Sequence, residues 1–116
     1  PSPGADEKPL RPVADIEARR AQFVTMPLVA DLSALPAGER KALDHLVGAA
    51  RAVHRIFERQ AWAGNFAFSK KVEALTGPGA EAAREYYRIM AKPWDTLKGD
   101  EPFLGNGRQA LAAFAS

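Results

Sequence analysis

Two groups that ligate metals in other proteins, His54 and Glu58, lie four residues apart in this sequence. At this spacing both side chains fall on one face of a helix. A zinc site needs three or four ligands, and the other histidine, His45, is nine residues from His54. The chain has no cysteine, so thiolate ligands are excluded. The pattern favours a helix-surface pair over a metal site, and we expect this chain to hold no metal or other cofactor.

Three arginines, Arg51, Arg55 and Arg59, repeat every four residues and so form a ridge on the same helix. Such a ridge binds phosphate or an acidic partner in some proteins, but it is also typical of a solvated helix face. The net charge of +2 is a small surplus, and no aromatic residues alternate with the arginines as base stacking requires. We therefore expect a solvated face and no binding of nucleic acid.

No complete catalytic set is recognisable in the sequence. The four serines lack the motif that surrounds a hydrolase nucleophile, and "GPG" and "GNG" are too short for a phosphate-binding loop. No apolar run approaches the roughly 20 residues of a membrane span. We predict no catalytic residue and no membrane-spanning segment in this chain.

The stretch "AKPWDTLKGDEPFLGNG", residues 91–107, mixes aromatic residues, acids and turn formers. On the interpretation that we favour, it is a structural corner: Pro93 ends a helix, and Trp94 folds back over Tyr87 or Phe57. Asp95 then accepts backbone hydrogen bonds in an Asx-type turn. On the alternative interpretation, Trp94, Asp95 and Tyr87 face the substrate cleft of a larger enzyme.

The elements that must position these residues are predicted to be mainly helical. Residues 1–12 are rich in proline and read as a flexible tail or linker, and residues 13–116 as one helical domain, part of a larger protein. "VTMPLVADL" is predicted to be extended, as an edge strand, because it is rich in β-branched residues and holds Pro27. The fold class is therefore a small domain of about four helices with one short extended N-terminal segment, the helices covering residues 15–23, 36–62, 66–75 and 80–91, and a last short helix falling in 108–116.

The longest predicted helix carries one apolar stripe at three- and four-residue spacing. Its members are Leu43, Leu46, Val47, Ala50, Val53, Phe57 and Ala61. Such a stripe typically faces a core, so we predict that Phe57 is buried. The chain begins with a proline-rich segment and no methionine, which favours a processed protein of the periplasm or the outside of the cell.

Three stretches resemble, in order and spacing, the N-terminal region of the bacterial dipeptidyl-peptidase III-like (M49-type) metallopeptidases. They are "VADLSALPAGERKALDHLVGAARAVHRIFERQAWAGN", the helix with Tyr86 and Tyr87, and "PWDTLKGDEPFL". The family shows "ADLS-x-L", then "F-x-RQ-x-W-x-GN", then "PWD-x-L…EPF". The resemblance covers roughly residues 29–104. The final "GNGRQALAAFAS" departs from the Pro/Gly-rich passage that the family has there.

The resemblance implies a protein that hydrolyses peptides with a zinc ion. The family's zinc ligands, a histidine pair and a glutamate, and its general base lie further along the chain than this sequence extends. The chain is then a non-catalytic helical scaffold, and one wall of the substrate cleft, whose partners are the remainder of the peptidase and its peptide substrate. The alternative is a stand-alone helical module that binds a peptide or a partner helix.

Overall fold

The computed structural model describes residues 10–105 and is mainly helical, as predicted. The N-terminal residues 1–9, most of the predicted tail, and residues 106–116, which hold the predicted last helix, lie outside the described part. No helix in the described range is long and apolar enough to cross a membrane. The elements are α1 (Ile16–Ala21), α2 (Ala37–Ala61), α3 (Asn65–Glu73), α4 (Ala80–Met90), and two short strands, β1 (Trp94–Asp95) and β2 (Glu101–Pro102).

Helix α4 lies at the centre of the core. Its small residue Ala83 and its large residue Tyr86 are both fully buried, and the three-residue spacing places them on one face. The small side chain allows α1 to approach closely, and Ile16 of α1 is buried there. Helix α3 also contributes one buried face, with Phe68 and Val72 four residues apart. The remaining members of the core are Phe68, Val72, Ala82, Tyr87, Phe103 and Leu104.

Both ends of α4 depend on left-handed backbone. Gly79 precedes the helix at φ +78°, and a Cβ there would meet the Ile16 side chain at 2.9 Å. Glycine is therefore required at this position by both the backbone angle and the space. At the other end Ala91 adopts φ +57°, a conformation that costs a non-glycine residue about 1–2 kcal/mol. Pro93 follows and prevents the helix from continuing, as predicted.

The prediction of a buried stripe on α2 is wrong. No residue of α2 is buried in the described structure, and 52% of Phe57, 66% of Leu46 and 62% of Val53 is exposed. The physical reason is that α1, α3, α4 and the chain after them bury one another without α2. The helix turns a polar side towards α3 and α4 and leaves its apolar side in solvent.

The segment between α1 and α2 contains no strand. An edge strand needs a sheet to pair with, and the described structure places none beside residues 24–32. Its strands lie instead in the corner after α4, where β1 and β2 pair antiparallel. Pro12 forms a bridge to Leu104, and the amide of Val13 donates to the carbonyl of Phe103 at 3.0 Å. The two ends of the described chain are thus held together.

Candidate functional site

The carboxylate of Asp95 is fully buried at the centre of the corner. One oxygen, Oδ2, accepts from the Tyr86 hydroxyl at 2.8 Å and from Arg19 Nη1 at 3.1 Å. The other, Oδ1, accepts from the backbone N–H of Leu97 at 2.9 Å. This last bond is the predicted Asx-type turn. Because both oxygens are engaged, the carboxylate holds α1, α4 and the corner in one arrangement.

The charge of Asp95 is balanced by Arg19, which is itself largely buried. Burial alone would lower the pKa of Arg19, but the neighbouring carboxylates of Asp15 and Asp95 raise it overall. The hydrogen bond from Arg19 lowers the pKa of Asp15. Burial, and then the hydrogen bond to Asp95, raises the pKa of Tyr86 to about 12. At neutral pH Arg19 is therefore a cation, Asp15 is a carboxylate and Tyr86 is a neutral phenol.

Asn65 forms a second buried centre and joins the ends of three helices. Its side-chain amide donates to the carbonyl of Glu58 near the end of α2 at 2.7 Å. It also donates to the carbonyl of Ala91 at the end of α4 at 2.6 Å, and its Oδ1 accepts from the hydroxyl of Tyr87. Burial raises the pKa of Tyr87, so this hydroxyl keeps its proton. Asn65 is the first residue of α3 but does not cap it, because its side chain bonds to these helix ends instead.

Trp94 closes the corner against Trp62, the residue that follows α2. The two indole rings are perpendicular with centroids 5.1 Å apart, and Trp62 also meets Phe68 edge-on at 5.6 Å. A Cβ on Gly64 would overlap the ring of Trp62. The prediction that Trp94 covers Tyr87 or Phe57 is therefore wrong about its neighbour, although its ring does fold back over the helices.

A groove of about 380 Å³ separates the last two turns of α2 from α3 and α4. His54 and Glu58 form an exposed pair at 3.1 Å on one wall, and Arg88 and Glu73 form another at 3.2 Å on the facing wall. Tyr87 also borders the groove. Two members of the arginine ridge, Arg55 and Arg59, line it, so the ridge faces the groove rather than open solvent alone. The exposed ring of Phe66 stands at its rim.

Of the three candidate cleft residues, the structure engages Asp95 in internal bonds, sets Trp94 on Trp62, and places Tyr87 beside the groove. No group of three metal-ligating side chains occurs among residues 10–105. The described residues therefore form a surface suited to binding. They include no set of groups that could hold zinc. Sequence reasoning missed Arg19, whose signal was its spacing of four from Asp15, and the joining role of Asn65.

Comparison of this chain with protein-family models, with curated proteins and with solved structures found no match. The functional interpretation therefore depends on the geometry of the described residues and on the ordered sequence motifs that they belong to.

Proposed function

We propose that this chain is the non-catalytic N-terminal helical portion of a dipeptidyl-peptidase III-like zinc peptidase. In this role it is a scaffold that packs against the remainder of the enzyme and supplies one wall of the peptide cleft. Zinc and the residues that use it belong to that remainder, because the described residues offer no three-ligand group.

The residues of the motifs that carry the resemblance support the proposal, because each has a structural role in this fold. "W-x-GN" supplies Trp62, which meets the corner, and Asn65, which joins three helix ends. "PWD" supplies the buried carboxylate of Asp95, and "EPF" supplies Phe103, whose ring meets Tyr86 at 4.9 Å. The ordered motifs thus describe one folded unit rather than separate surface features.

The observation that carries the proposal is the uncovered apolar side of α2. At about 100° per residue, the apolar side chains run from Ile56 through Val53, Leu46 and Phe57 round to Val47. They span an arc of about 180°, in which Gln60 and, near the Val47 end, His54 of the groove wall also fall, and each of these five is more than two-fifths exposed. A helix that carries so wide an apolar side is stable in water only when other elements cover it.

The width of this arc favours the remainder of a larger protein over a single partner helix. Pairing with one helix requires only a narrow seam of two positions in seven, whereas a core-facing helix shows an arc of about 100° or more. An arc of about 180° is wide enough to contact two or more neighbouring elements. The alternative function, a stand-alone module that binds a peptide, is favoured by the groove, whose volume of about 380 Å³ lies within the range of ligand sites.

The test begins with the complete reading frame that encodes this chain. The proposal expects a downstream helix with an H-E-x-x-x-H or H-E-x-x-G-H motif, and a purified protein that holds one zinc ion and releases dipeptides. The 116-residue chain by itself is expected to bind no stoichiometric zinc and to show no such activity. A reading frame that lacks the motif, or a longer protein without zinc, would exclude the proposal and leave the module interpretation.

A pair of variants then tests whether α2 is covered in the longer protein. Leu46→Asp places a charge in the apolar arc, and Lys41→Asp places one on the opposite side of the same helix. In the 116-residue chain both should leave the melting temperature nearly unchanged, since both positions are exposed. In the longer protein only Leu46→Asp should prevent folding or lower stability by several kcal/mol. Equal behaviour of the two variants there would show that the arc is not covered.

A further inference from the structure

The groove between the end of α2 and helices α3 and α4 contains two arginines that form no salt bridge with another described residue. We propose that this groove binds a short peptide segment in which a single carboxylate stands next to a large apolar side chain. Every residue that lines the groove belongs to α2, α3 or α4, or directly follows α4. The binding therefore goes beyond the proposed function, and it depends neither on zinc nor on any other part of the protein.

The two arginines on the α2 wall supply the positive charge. Arg55 and Arg59 are exposed, line the groove, and form no salt bridge with any residue in the described chain. They are four residues apart, so their side chains leave one side of the helix about 6 Å apart along its axis. Guanidinium groups bind carboxylates through charge-assisted hydrogen bonds, often two at a time. The pair is therefore suited to hold a carboxylate.

The charge balance of the groove favours a ligand group with one negative charge. Three arginines and two glutamates line the groove, which leaves a formal surplus of one positive charge: Arg55, Arg59 and Arg88 against Glu58 and Glu73. Each glutamate is paired with a neighbouring side chain, at 3.1 and 3.2 Å. A phosphate group carries up to two negative charges, which exceeds this surplus and increases the repulsion by the two glutamates. A single carboxylate matches the surplus.

Free acceptors beside the arginines favour a peptide over a bare anion. Each glutamate uses one oxygen in its pair, and its second oxygen forms no hydrogen bond to a described residue. A bare anion has no donor to offer these oxygens, whereas the backbone N–H groups of a peptide do. The carbonyls of Glu58 and Ala91, which would repel an anion, both accept from the side-chain amide of Asn65.

An exposed aromatic ring provides the contact for the apolar side chain. The exposed fraction of Phe66, at the rim of the groove, is 65%. The ammonium group of Lys70 lies 4.6 Å from the centre of this ring and adds a further positive charge at the rim. A large apolar side chain that packs on Phe66 removes apolar surface from water on both molecules. The volume of about 380 Å³ is at the small end of the range for ligand sites, so the bound segment is short.

Titration of the 116-residue chain with three capped peptides tests the ligand class, with amide chemical shifts as the measurement. Acetyl-Phe-Asp-Phe-amide should bind and shift resonances in the last two turns of α2 and the facing parts of α3 and α4. The Phe-Asn-Phe peptide has the same shape without the charge and should bind at least about tenfold more weakly. The Phe-Lys-Phe peptide should not bind. Equal affinity for all three peptides, or no binding of the aspartate peptide at millimolar concentration, would overturn the inference.

A matched set of arginine variants tests the site. Arg55→Gln and Arg59→Gln should each weaken binding of the aspartate peptide about tenfold, and change binding of the asparagine peptide much less, because they contact the carboxylate. Arg51→Gln is the control, since Arg51 belongs to the same ridge and is exposed but does not line the groove. All three positions are exposed, so the variants should fold. An equal loss with Arg51→Gln would indicate general attraction between charges and refute the site.

The Phe66→Ala variant tests the apolar contact. It should weaken binding of the aspartate and asparagine peptides by a similar factor, because the ring contacts the apolar side chains that both peptides share. Phe66→Leu keeps an apolar side chain and should retain most of the affinity. If Phe66→Ala leaves both affinities unchanged, the apolar part of the inference is wrong.

The outcomes separate this inference from the proposed function. A groove that binds the aspartate peptide, in a protein whose reading frame lacks the zinc motif, would sustain the inference and refute the function. A zinc peptidase whose 116-residue portion binds none of the peptides would do the reverse. Inorganic phosphate that bound in the groove as tightly as the aspartate peptide would also overturn the inference, because it would assign the site to any anion.

Discussion

Helices α2 and α4 both carry apolar residues at three- and four-residue spacing, yet only α4 buries them. In α4, Ala83 and Tyr86 are fully buried, whereas in α2 the comparable Val53 and Phe57 are each more than half exposed. The two helices do not differ in pattern but in what surrounds them. α4 lies between α1, α3 and the corner, and α2 extends away from them.

The comparison teaches that periodicity identifies the face of a helix that requires burial, but not the protein segment that covers it. In α4 the covering residues lie in the described chain. For α2 no described residue covers the apolar arc, and an exposed apolar surface of this size is typical of an interaction site.

The largest expected difference is between two phenylalanines. Phe68→Ala removes a fully buried ring, and the free energy of unfolding of the 116-residue chain should fall by about 3–5 kcal/mol. Phe57→Ala removes a ring that is 52% exposed and should change it by less than about 0.5 kcal/mol. Denaturant melts of both variants provide the measurement. A comparable loss in Phe57→Ala would mean that α2 packs against this chain after all.

The next effect concerns the junction between the two regions. Asn65→Ala leaves the carbonyl of Ala91 and the hydroxyl of Tyr87 without their partner, at a cost of roughly 2–4 kcal/mol. It also releases the end of α2, so amide exchange in the last turn of α2 should become faster. Ser69→Ala, at a half-buried position whose hydroxyl donates to Phe66 of the same helix, is the control and should change little. If exchange in α2 is unaltered, Asn65 does not hold that helix.

The Trp94→Ala variant distinguishes the two interpretations of residues 91–107, a structural corner and one side of a substrate cleft. Its ring is only partly buried, so loss of the contact with Trp62 should cost the 116-residue chain roughly 2 kcal/mol, less than a core aromatic. An unchanged denaturation midpoint would favour the cleft role, in which only peptide hydrolysis by the longer enzyme suffers. That cleft role for Trp94, Asp95 and Tyr87 stays a prediction.

The last effect is absent at neutral pH: it is a dependence on alkaline pH that arises on the α4 side alone. The pKa of Tyr86 rises from 10.0 to about 12 on folding, so the folded state retains a proton that the unfolded state loses. Its contribution is complete below pH 10 and declines as the pH rises towards 12, by about 1.4 kcal/mol per pH unit. The raised pKa of Tyr87 acts in the same direction.

Denaturant melts across this range, with phenolate absorbance as a second probe, measure the slope. The Tyr86→Phe variant should show a shallower decline, because one of the two phenols is gone. A slope that is unaffected by this change would show that Tyr86 ionises equally in both states.

Much of the fold was predictable because it depends on local signals. The four helices begin and end within two residues of their predicted bounds, since Gly79, Pro93 and the apolar spacing act within a few residues of each boundary. The Asx-type turn at Asp95 was also predictable, because the acceptor and the N–H of Leu97 are two residues apart.

The contacts that hold the site together depend on distant pairs, and the sequence does not reveal them. Arg19 and Asp95 are 76 residues apart, and Asn65 and Ala91 are 26 apart. Neither pairing follows from spacing on a helix. The prediction that Phe57 is buried was wrong for a related reason. Burial depends on whether another element packs against the helix face, and no local pattern encodes that.

Helix α2 is attached to the rest of the described structure near one end, so a small rotation at that end moves the other end a long way. Its 25 residues extend about 37 Å, and its described bonds to the other helices lie near the Trp62 end. A rotation of only about 10° at Trp62 would carry Ala37 through about 6 Å, while the core residues around Tyr86 would stay in place. A partner that covered the apolar arc would therefore also set the angle of α2, the width of the groove beside it, and the position from which residues 24–36 depart.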